Sequence, residues 1–387
     1  MRIFVLYIEE IIMIKKYLLL LFSGLLLSQP EDCLDGRYVN EIFDIDIEYE
    51  VEYGENINQT LLGSEYTQTL YMDIYTPSND DLEDRPLIFF MFGGSFIGGS
   101  KSSGDIVALC TKYAQRGYVA VAIDYRLSPL LIFNPTEEVA YKAVLKAIHD
   151  VKAAIRYFRM MDEDSPSFYR IDSDRIFVGG VSAGAISAVN AGYLNNYDEV
   201  PSFLLDDYDE LGGIEGLSGN SGYSSGFHGI VNLCGAVGDR DWIVEDDIPV
   251  VSMHGDQDDV VPYDDNLVTL FGLNIQIDGS YIIHERMLEL DNYSSLHTYA
   301  GQGHTPFSNM IFESQYTSEF LYDIVCSDTE NYLLGDINGD AILNILDIVQ
   351  IVNLILDAGY QDTADMNGDE IINILDVVAL VNAVLGS

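Results

Sequence analysis

The chain has 387 residues, of which 48% are hydrophobic and 21% charged, a composition typical of a globular protein with one large core and room for a small additional unit. Its 63 acidic and 18 basic residues give a formal net charge of −45. Nucleic acids and anionic lipid surfaces are excluded as partners, because proteins bind both through clustered lysine and arginine.

The amino terminus, residues 1–29, is predicted to be an export signal. Two lysines precede the apolar run YLLLLFSGLLL at 17–27, which is short for a membrane span. Met13 is an alternative start, and cleavage is expected near Ser28, although no A-x-A pattern fixes the site. We therefore expect a secreted or cell-surface protein without stable membrane insertion. An uncleaved membrane anchor is the alternative.

Predicted strands and helices alternate from residue 45 onwards. The alternating stretch IDIEYEVEY (45–53) is typical of an edge strand, and the apolar run PLIFFMFGG (86–94) of a strand buried on both faces. Helices are predicted over 105–116 and 136–161, the second capped by Thr136. Further strands are predicted in TLYMDIYTP, YVAVAIDY, RIFVGGVS, GIVNLCGAV, PVVSMHG and SLHTYAG. This order predicts an α/β fold with a mostly parallel sheet between helices, and a site at the carboxyl ends of its strands.

Two long excursions interrupt this pattern. Residues 195–227 are acidic and then rich in glycine and serine, and we expect them to arch over the site. There they would either shape the substrate pocket or serve only as a connection. Residues 263–289 lie between the last two predicted strands, and their sequence predicts no fold.

The stretch Gly180-Val-Ser-Ala-Gly184 fits the G-x-S-x-G pattern between a predicted strand and a helix-compatible segment. A serine on so sharp a turn needs small neighbours, because larger ones would collide with the adjoining strand and helix. Ser182 is therefore the candidate nucleophile. Its candidate base is His304 in YAGQGHTPF, because that loop follows the last predicted strand and reaches the strand ends.

The base in turn needs an acid that fixes its tautomer. The turn HGDQDDVVP follows a predicted strand and offers Asp256, Asp258 and Asp259. Asp258 is the preferred acid and Asp259 the alternative.

The order Ser182, Asp258, His304 and the pieces FGGSFIGGS, AIDYRL, GGVSAG, HGDQDDVVP and GQGH resemble the α/β-hydrolases over residues 45–322, and among them the carboxylesterase-like enzymes. The resemblance implies a serine ester hydrolase that needs no cofactor for catalysis. It also implies an oxyanion hole of three backbone N–H groups, those of Gly94, Ser95 and Ala183. Phe92 departs from the histidine of many relatives, and Ser95 from a third glycine.

A repeat ends the chain, since GDINGDAILNILDIVQIVNLIL (335–356) recurs as ADMNGDEIINILDVVALVNAVL (364–385). Oxygen ligands at alternate positions of a 12-residue loop, followed by an apolar helix, suit Ca²⁺, so two calcium sites are predicted. The predicted ligands are Asp336, Asn338, Asp340, the carbonyl of Ile342, Asn344 and Asp347, then Asp365, Asn367, Asp369, the carbonyl of Ile371, Asn373 and Asp376.

This repeat resembles a type I dockerin over residues 333–387, joined by a linker, 327–332, to the catalytic domain, 30–326. Ala341 and Glu370 replace the usual glycine at position 6, which predicts weaker calcium binding. The resemblance implies a cohesin-like or cell-surface scaffold partner, recognised by loop positions 10 and 11. These positions hold Ile345, Leu346, Ile374 and Leu375. The alternative is that these four residues belong to the module's own core.

Four cysteines, Cys33, Cys110, Cys234 and Cys326, allow three full pairings in an exported chain, and the sequence does not choose among one disulfide, two, or buried free thiols.

The leading functional prediction is a secreted esterase that removes acetyl or feruloyl groups from polysaccharide and is tethered by its tail. The alternatives are a polyester depolymerase or lipase, a peptidase of the same fold, and a non-catalytic binding protein.

Overall fold

The computed structural model describes residues 33, 36–269, 272–326, 334–337, 343–357, 361–366 and 371–384. The predicted export signal and the predicted linker lie outside the described residues.

Eleven strands are described: β1 (Ile45–Gln59), β2 (Glu65–Pro77), β3 (Arg85–Met91), β4 (Val119–Ile123), β5 (Ile171–Val181), β6 (Ile230–Leu233), β7 (Ala236–Val237), β8 (Val250–Gly255), β9 (Asp265–Val268), β10 (Ile275–Gly279) and β11 (Ser294–Tyr299). Eight of them form the main sheet in the order β1-β2-β4-β3-β5-β6-β8-β11. The pairings β1–β2 and β2–β4 are antiparallel, and the other five are parallel. The predicted mostly parallel sheet and the predicted edge strand β1 are confirmed.

Nine α-helices are described: α1 (Gly104–Gln115), α2 (Leu130–Phe133), α3 (Glu137–Asp164), α4 (Ala183–Tyr193), α5 (Leu205–Leu211), α6 (Ser280–Glu289), α7 (Ile311–Val325), α8 (Ile345–Asp357) and α9 (Ile374–Val384). Short 3₁₀ turns cover Tyr197–Glu199, Ser202–Leu204, Arg240–Trp242 and Asp362–Ala364. As predicted, Thr136 caps α3, because its hydroxyl accepts a hydrogen bond from the Val139 N–H at 3.2 Å.

The core of the catalytic unit lies around the central strands. Every residue of β3 and β4 is buried, which explains their continuous apolar sequences. Helix α1 packs on α7, and α3 packs on α4, so helices flank the sheet. None of the helices in the described residues combines the length and the apolar content needed to span a bilayer.

One disulfide joins Cys33 to Cys326, at the end of α7, across a sequence separation of 293 residues. Cys110 and Cys234 are buried free thiols. Of the alternatives that the sequence left open, the structure thus has one disulfide and two thiols.

The first excursion, 195–227, is fastened to α3. Ser218 donates a hydrogen bond to Asp150 at 2.6 Å, and Glu215 pairs with Lys152 at 2.7 Å. The second excursion forms β9, β10 and α6, with β10 paired to β7 and β9 in a small antiparallel sheet.

The repeat tail has a small core of its own. The buried apolar residues of this core are Ile337, Ile351, Ala364, Val377 and Leu380. Helices α8 and α9 pack against each other around them.

Candidate active site

Ser182 lies at the turn from β5 into α4, with φ 55° and ψ −117°. This left-handed conformation is strained for a residue with a side chain. The flanking glycines are needed for space. A Cβ on Gly180 would lie 2.3 Å from the carbonyl carbon of Gly184, and a Cβ on Gly184 would lie 2.1 Å from the Met91 carbonyl oxygen. The two glycines therefore let β5, α4 and β3 approach closely enough to hold the Ser182 hydroxyl at the strand ends.

The structure brings the predicted serine, histidine and acid into one hydrogen-bonded chain. His304 Nε2 lies 2.8 Å from Ser182 Oγ, and His304 Nδ1 lies 2.6 Å from Asp258 Oδ2. The carboxylate can only accept, so Nδ1 carries the proton and Nε2 accepts from the serine hydroxyl. The side chain of Asp258 is fully buried, while that of His304 is 17% exposed at the mouth of the site.

The acid in this series of hydrogen bonds is Asp258. The alternative, Asp259, has its side chain exposed to solvent. Asp258 Oδ1 accepts hydrogen bonds from the N–H groups of Val260 at 2.8 Å and Val261 at 3.0 Å. Burial opposes ionisation of Asp258, but hydrogen bonds from His254, His304 and Val260 outweigh it and hold its pKa well below the usual range. Asp258 is therefore an ionised partner for His304.

The predicted oxyanion loop follows β3. Gly94 has φ 132°, and Ser95 has φ 55°, so the serine that replaces a glycine adopts the conformation the turn requires. A Cβ on Gly94 would lie 2.2 Å from the Gly98 carbonyl oxygen. Within the described part of the chain, the N–H groups of Gly94 and Ser95 donate to no protein acceptor. These groups, with that of Ala183, are where the sequence placed the oxyanion donors.

Neighbouring aromatic and acidic groups hold this loop in place. Tyr125 donates its hydroxyl to the Phe92 carbonyl at 2.7 Å, and the two rings stack at 4.3 Å. Asp124 accepts a hydrogen bond from the Lys101 N–H at 2.8 Å. Phe92, which departs from the histidine of many relatives, is thus a packed support of the loop.

The BD-FAE family model matches residues 72–218, a range that contains the oxyanion loop and Ser182. The chain is a serine ester hydrolase. Similar solved structures include esterase 2 of Thermogutta terrifontis with butyrate bound, at 20% identity and TM-score 0.49, covering 71% of this chain and 96% of that chain. The propionate-bound form matches at 20% identity and TM-score 0.48, covering 70% and 94%. The form phosphorylated by paraoxon matches with the same four values.

A cavity of about 130 Å³ opens beside Ser182 of this esterase, and its lining is apolar almost throughout. One wall comes from the second excursion and the turn before it: Val260, Val261, Val268, Leu273, Ile275 and Ile277. The opposite wall includes Leu131, Tyr141, Val144, Ile186 and Val237. None of the described residues of 195–227 lines it. Phe203 of this first excursion packs against Tyr141 of the cavity wall, with ring centroids 5.4 Å apart.

Four of the other five histidines of the esterase have structural contacts. His149 Nε2 lies 2.7 Å from the Gly213 carbonyl, and burial lowers its pKa to about 4. His228 accepts from the Ile176 N–H, His284 contacts Ser294, and His297 packs among aromatic rings. The remaining one, His254, contacts Asp258 directly, a role that the sequence analysis missed.

Of the predicted calcium ligands, the structure describes Asp336, Asn344, Asp347, Asp365, Ile371, Asn373 and Asp376, while Asn338, Asp340, Ile342, Asn367 and Asp369 lie outside the described residues. The carboxylates at positions 1 and 12 of both loops are buried. Position 12 also accepts the backbone N–H of position 9, at 2.9 Å in the first loop and 2.8 Å in the second. Buried oxygen donors at both ends of each loop fit a hard divalent cation.

The four predicted partner-binding residues lie on the surface of the tail. Ile345 is 64% exposed, Leu346 37%, Ile374 65% and Leu375 60%. The alternative that these side chains form the module's own core is therefore wrong.

Proposed function

We propose that the chain hydrolyses carboxylic esters through an acyl-enzyme on Ser182. The observation that carries this proposal is the hydrogen-bonded chain Ser182–His304–Asp258, with links of 2.8 and 2.6 Å. It ends on a strained turn beside unpaired backbone donors, which is the arrangement that acyl transfer requires.

In the first half-reaction, Ser182 Oγ attacks the ester carbonyl carbon and its proton passes to His304 Nε2. The oxyanion accepts hydrogen bonds from the N–H groups of the Gly94–Ser95 turn and Ala183, and loss of one such donor raises the barrier by roughly 3–4 kcal/mol. His304 then gives the proton to the departing alcohol. In the second half-reaction, His304 deprotonates a water that attacks the acyl carbonyl, and Ser182 leaves with the proton.

The cavity beside Ser182 indicates which acyl group is preferred. Its volume of about 130 Å³ is close to that of an apolar cavity of about 150 Å³ that holds a benzene ring. An acetyl group would leave most of this apolar wall without contacts. Of the two acyl groups expected from sequence, we propose the feruloyl group, because its aromatic ring would contact this apolar wall and the rest of the group would extend to the cavity mouth.

Polysaccharide as the carrier of this acyl group, and secretion as the setting, form the remaining parts of the proposal. Secretion is supported by the Cys33–Cys326 disulfide, because such bonds persist in oxidising surroundings. A tether to a scaffold suits an enzyme that works on a polymer.

The tail is proposed to bind two Ca²⁺ ions through the loop ligands named above. Calcium would offset the charge of the buried carboxylates and stabilise the packing of α8 on α9, without taking part in ester hydrolysis. The exposed pairs Ile345–Leu346 and Ile374–Leu375 are equivalent in the two repeats and offer a cohesin-like scaffold the same apolar contact twice. Binding to a purified cohesin should weaken in the double variant I345D/I374D; unchanged binding would contradict this contact.

The catalytic proposal is tested with methyl acetate, methyl butyrate and methyl ferulate, which share one leaving group and differ only in the acyl group. The wild type should have its highest kcat/KM on the ferulate, and S182A should lose turnover of all three, while S167A, which changes an exposed serine, should match the wild type. Full activity of S182A would contradict the acyl-enzyme. A wild type inactive on every ester would favour the non-catalytic alternative, and a preference for acetate would contradict the assignment of the cavity.

A further inference from the structure

His254, at the end of β8, contacts the same carboxylate oxygen as His304, the proposed catalytic base. Its side chain is fully buried, and its Nε2 lies 3.0 Å from Asp258 Oδ2. The same Oδ2 lies 2.6 Å from His304 Nδ1. Asp258 therefore bridges two imidazole rings, of which the proposed mechanism uses only one.

The partners on the far side of the ring form a hydrogen-bonded network around Nδ1 of His254. Asn232 Nδ2 donates to Ser280 Oγ at 3.0 Å, and its Oδ1 accepts from the Gly235 N–H at 2.8 Å, which sets the orientation of the amide. Ser280 Oγ lies 2.8 Å from His254 Nδ1 and 3.2 Å from the Gly235 carbonyl. The hydroxyl has one proton, and it can give this proton to either partner.

The contacts of Nε2 decide the direction: both of its partners are acceptors, so Nε2 carries the proton and Nδ1 accepts the hydrogen bond of the Ser280 hydroxyl. That N–H faces Asp258 Oδ2 and the Val261 carbonyl at 3.1 Å. The result is a continuous buried chain of hydrogen bonds from Asn232 through Ser280 and His254 to Asp258. Asn232 and His254 lie on the neighbouring strands β6 and β8, Asp258 lies in the turn after β8, and Ser280 begins α6.

We propose that His254 is a positioning residue of the esterase, whose Nε2–H holds Asp258 Oδ2 in line with His304 and takes up part of the carboxylate charge. The inference rests on the proposed function of Ser182, His304 and Asp258. Fixing the carboxylate fixes the ring of His304 in the orientation that serves Ser182. Because Asp258 shares its charge with His254, it stabilises protonated His304 less than it would if it contacted His304 alone. His304 therefore releases its proton to the leaving alcohol more readily.

Two further titratable groups face this network among the described residues. The thiol of Cys234 lies in a cluster with His254 and Asp258 in which all ligand atoms are within 4.8 Å of one another. Burial raises the pKa of Cys234 to about 12, so it stays a neutral thiol in an assay near pH 7. The ring of Tyr263 crosses that of His254 edge to face at 5.7 Å.

The test compares two amide substitutions at His254. In H254Q the amide nitrogen takes roughly the place of Nε2 and still donates to Asp258, whereas the shorter side chain of H254N reaches only the position of Nδ1 and has no donor for Asp258. We expect kcat of H254N to fall about 10- to 100-fold, the range found for residues that orient a catalytic ligand through a hydrogen bond, with KM almost unchanged. The acid limb of its kcat/KM profile should move to higher pH, because His304 then holds its proton more tightly. H254Q should recover most of kcat and the wild-type pH profile.

Equal losses in H254Q and H254N, at equal thermal stability, would overturn the inference, because a role in packing alone does not depend on where the donor lies. A wild-type kcat in H254N would overturn it as well. If H254N does not fold, S280A leaves the ring in place and removes the donor to Nδ1; kcat should then fall several-fold, and an unchanged kcat and pH profile would contradict the proposal. S182A is assayed alongside, because an active S182A would instead refute the proposed function.

Discussion

Buried carboxylates have different surroundings in the catalytic unit and in the repeat tail. In the catalytic unit, a buried carboxylate such as Asp150 pairs with a protein cation, Arg126, at 2.9 Å, within an extensive apolar core. Among the described residues of the tail, four buried carboxylates lie beside a core of five buried apolar residues. Small units with little core need a metal or another staple for stability. The tail, and not the catalytic unit, is therefore expected to depend on a cation.

The largest expected effect is the loss of kcat when the Asp258 carboxylate is replaced, a change that should leave the tail unaffected. D258N should lower kcat about 10⁴-fold, because an amide at this position favours the wrong tautomer of the histidine. Calcium binding by the tail should not change. The matched control is D259N, one residue on and exposed, which should keep the wild-type kcat in the same ester assay. Comparable losses in both variants would contradict the assignment of Asp258.

Chelation with EDTA tests whether the tail depends on calcium while the catalytic unit does not. Removal of calcium should cost the tail its helical circular dichroism and its resistance to protease, while kcat of the catalytic unit stays within about twofold. D347N should weaken binding at the first loop at least about 10-fold, as measured by calorimetry, because it removes the charged ligand at position 12. Loss of esterase activity with EDTA, or no heat of calcium binding in the wild type, would break the distinction between the two regions.

The disulfide should stabilise the catalytic unit alone. C33S/C326S should lower its free energy of unfolding by about 2–5 kcal/mol, since the closed loop includes nearly the whole unit. Denaturant unfolding followed by Trp242 fluorescence measures this, with kcat at 25 °C expected to be unchanged. A midpoint equal to that of the wild type would show that the bond does not constrain the unfolded chain.

The smallest expected effect concerns one methyl group at the turn. G184A should destabilise the catalytic unit by about 1–3 kcal/mol, because the added Cβ meets the Met91 carbonyl oxygen at 2.1 Å. G104A is the control, since no atom lies within 4 Å of a Cβ placed there. The midpoint temperature of thermal unfolding should fall for G184A and should stay constant or rise for G104A. Equal midpoints would mean that the turn relaxes without strain.

The sequence predicted the elements whose signals are local. Continuous apolar runs marked β3 and β5, and glycine-flanked turns after them marked Ser182 and the oxyanion loop. His304 and Asp258 were predictable because each follows a strand, and the ends of parallel strands meet at one edge.

What the sequence could not predict depends on contacts between distant residues. The pocket wall from β9 and β10 escaped detection, because strands of four and five residues are too short to show a period. The contact of His254 with Ser280 escaped detection as well, because Ser280 lies in that same unpatterned excursion. Strand β1 runs to Gln59, beyond its predicted end, because its pairing with β2 continues past bulges between Glu48 and Gly54.

Covalent labelling is the most direct test of whether Ser182 is the nucleophile that becomes acylated. The wild type is treated with a fluorophosphonate, digested and mapped by mass spectrometry, with S182A as the control. We expect one adduct per chain, on the peptide that contains Ser182, no adduct in S182A, and loss of ester hydrolysis in step with labelling. An adduct on another serine, or hydrolysis that continues without any adduct, would contradict it.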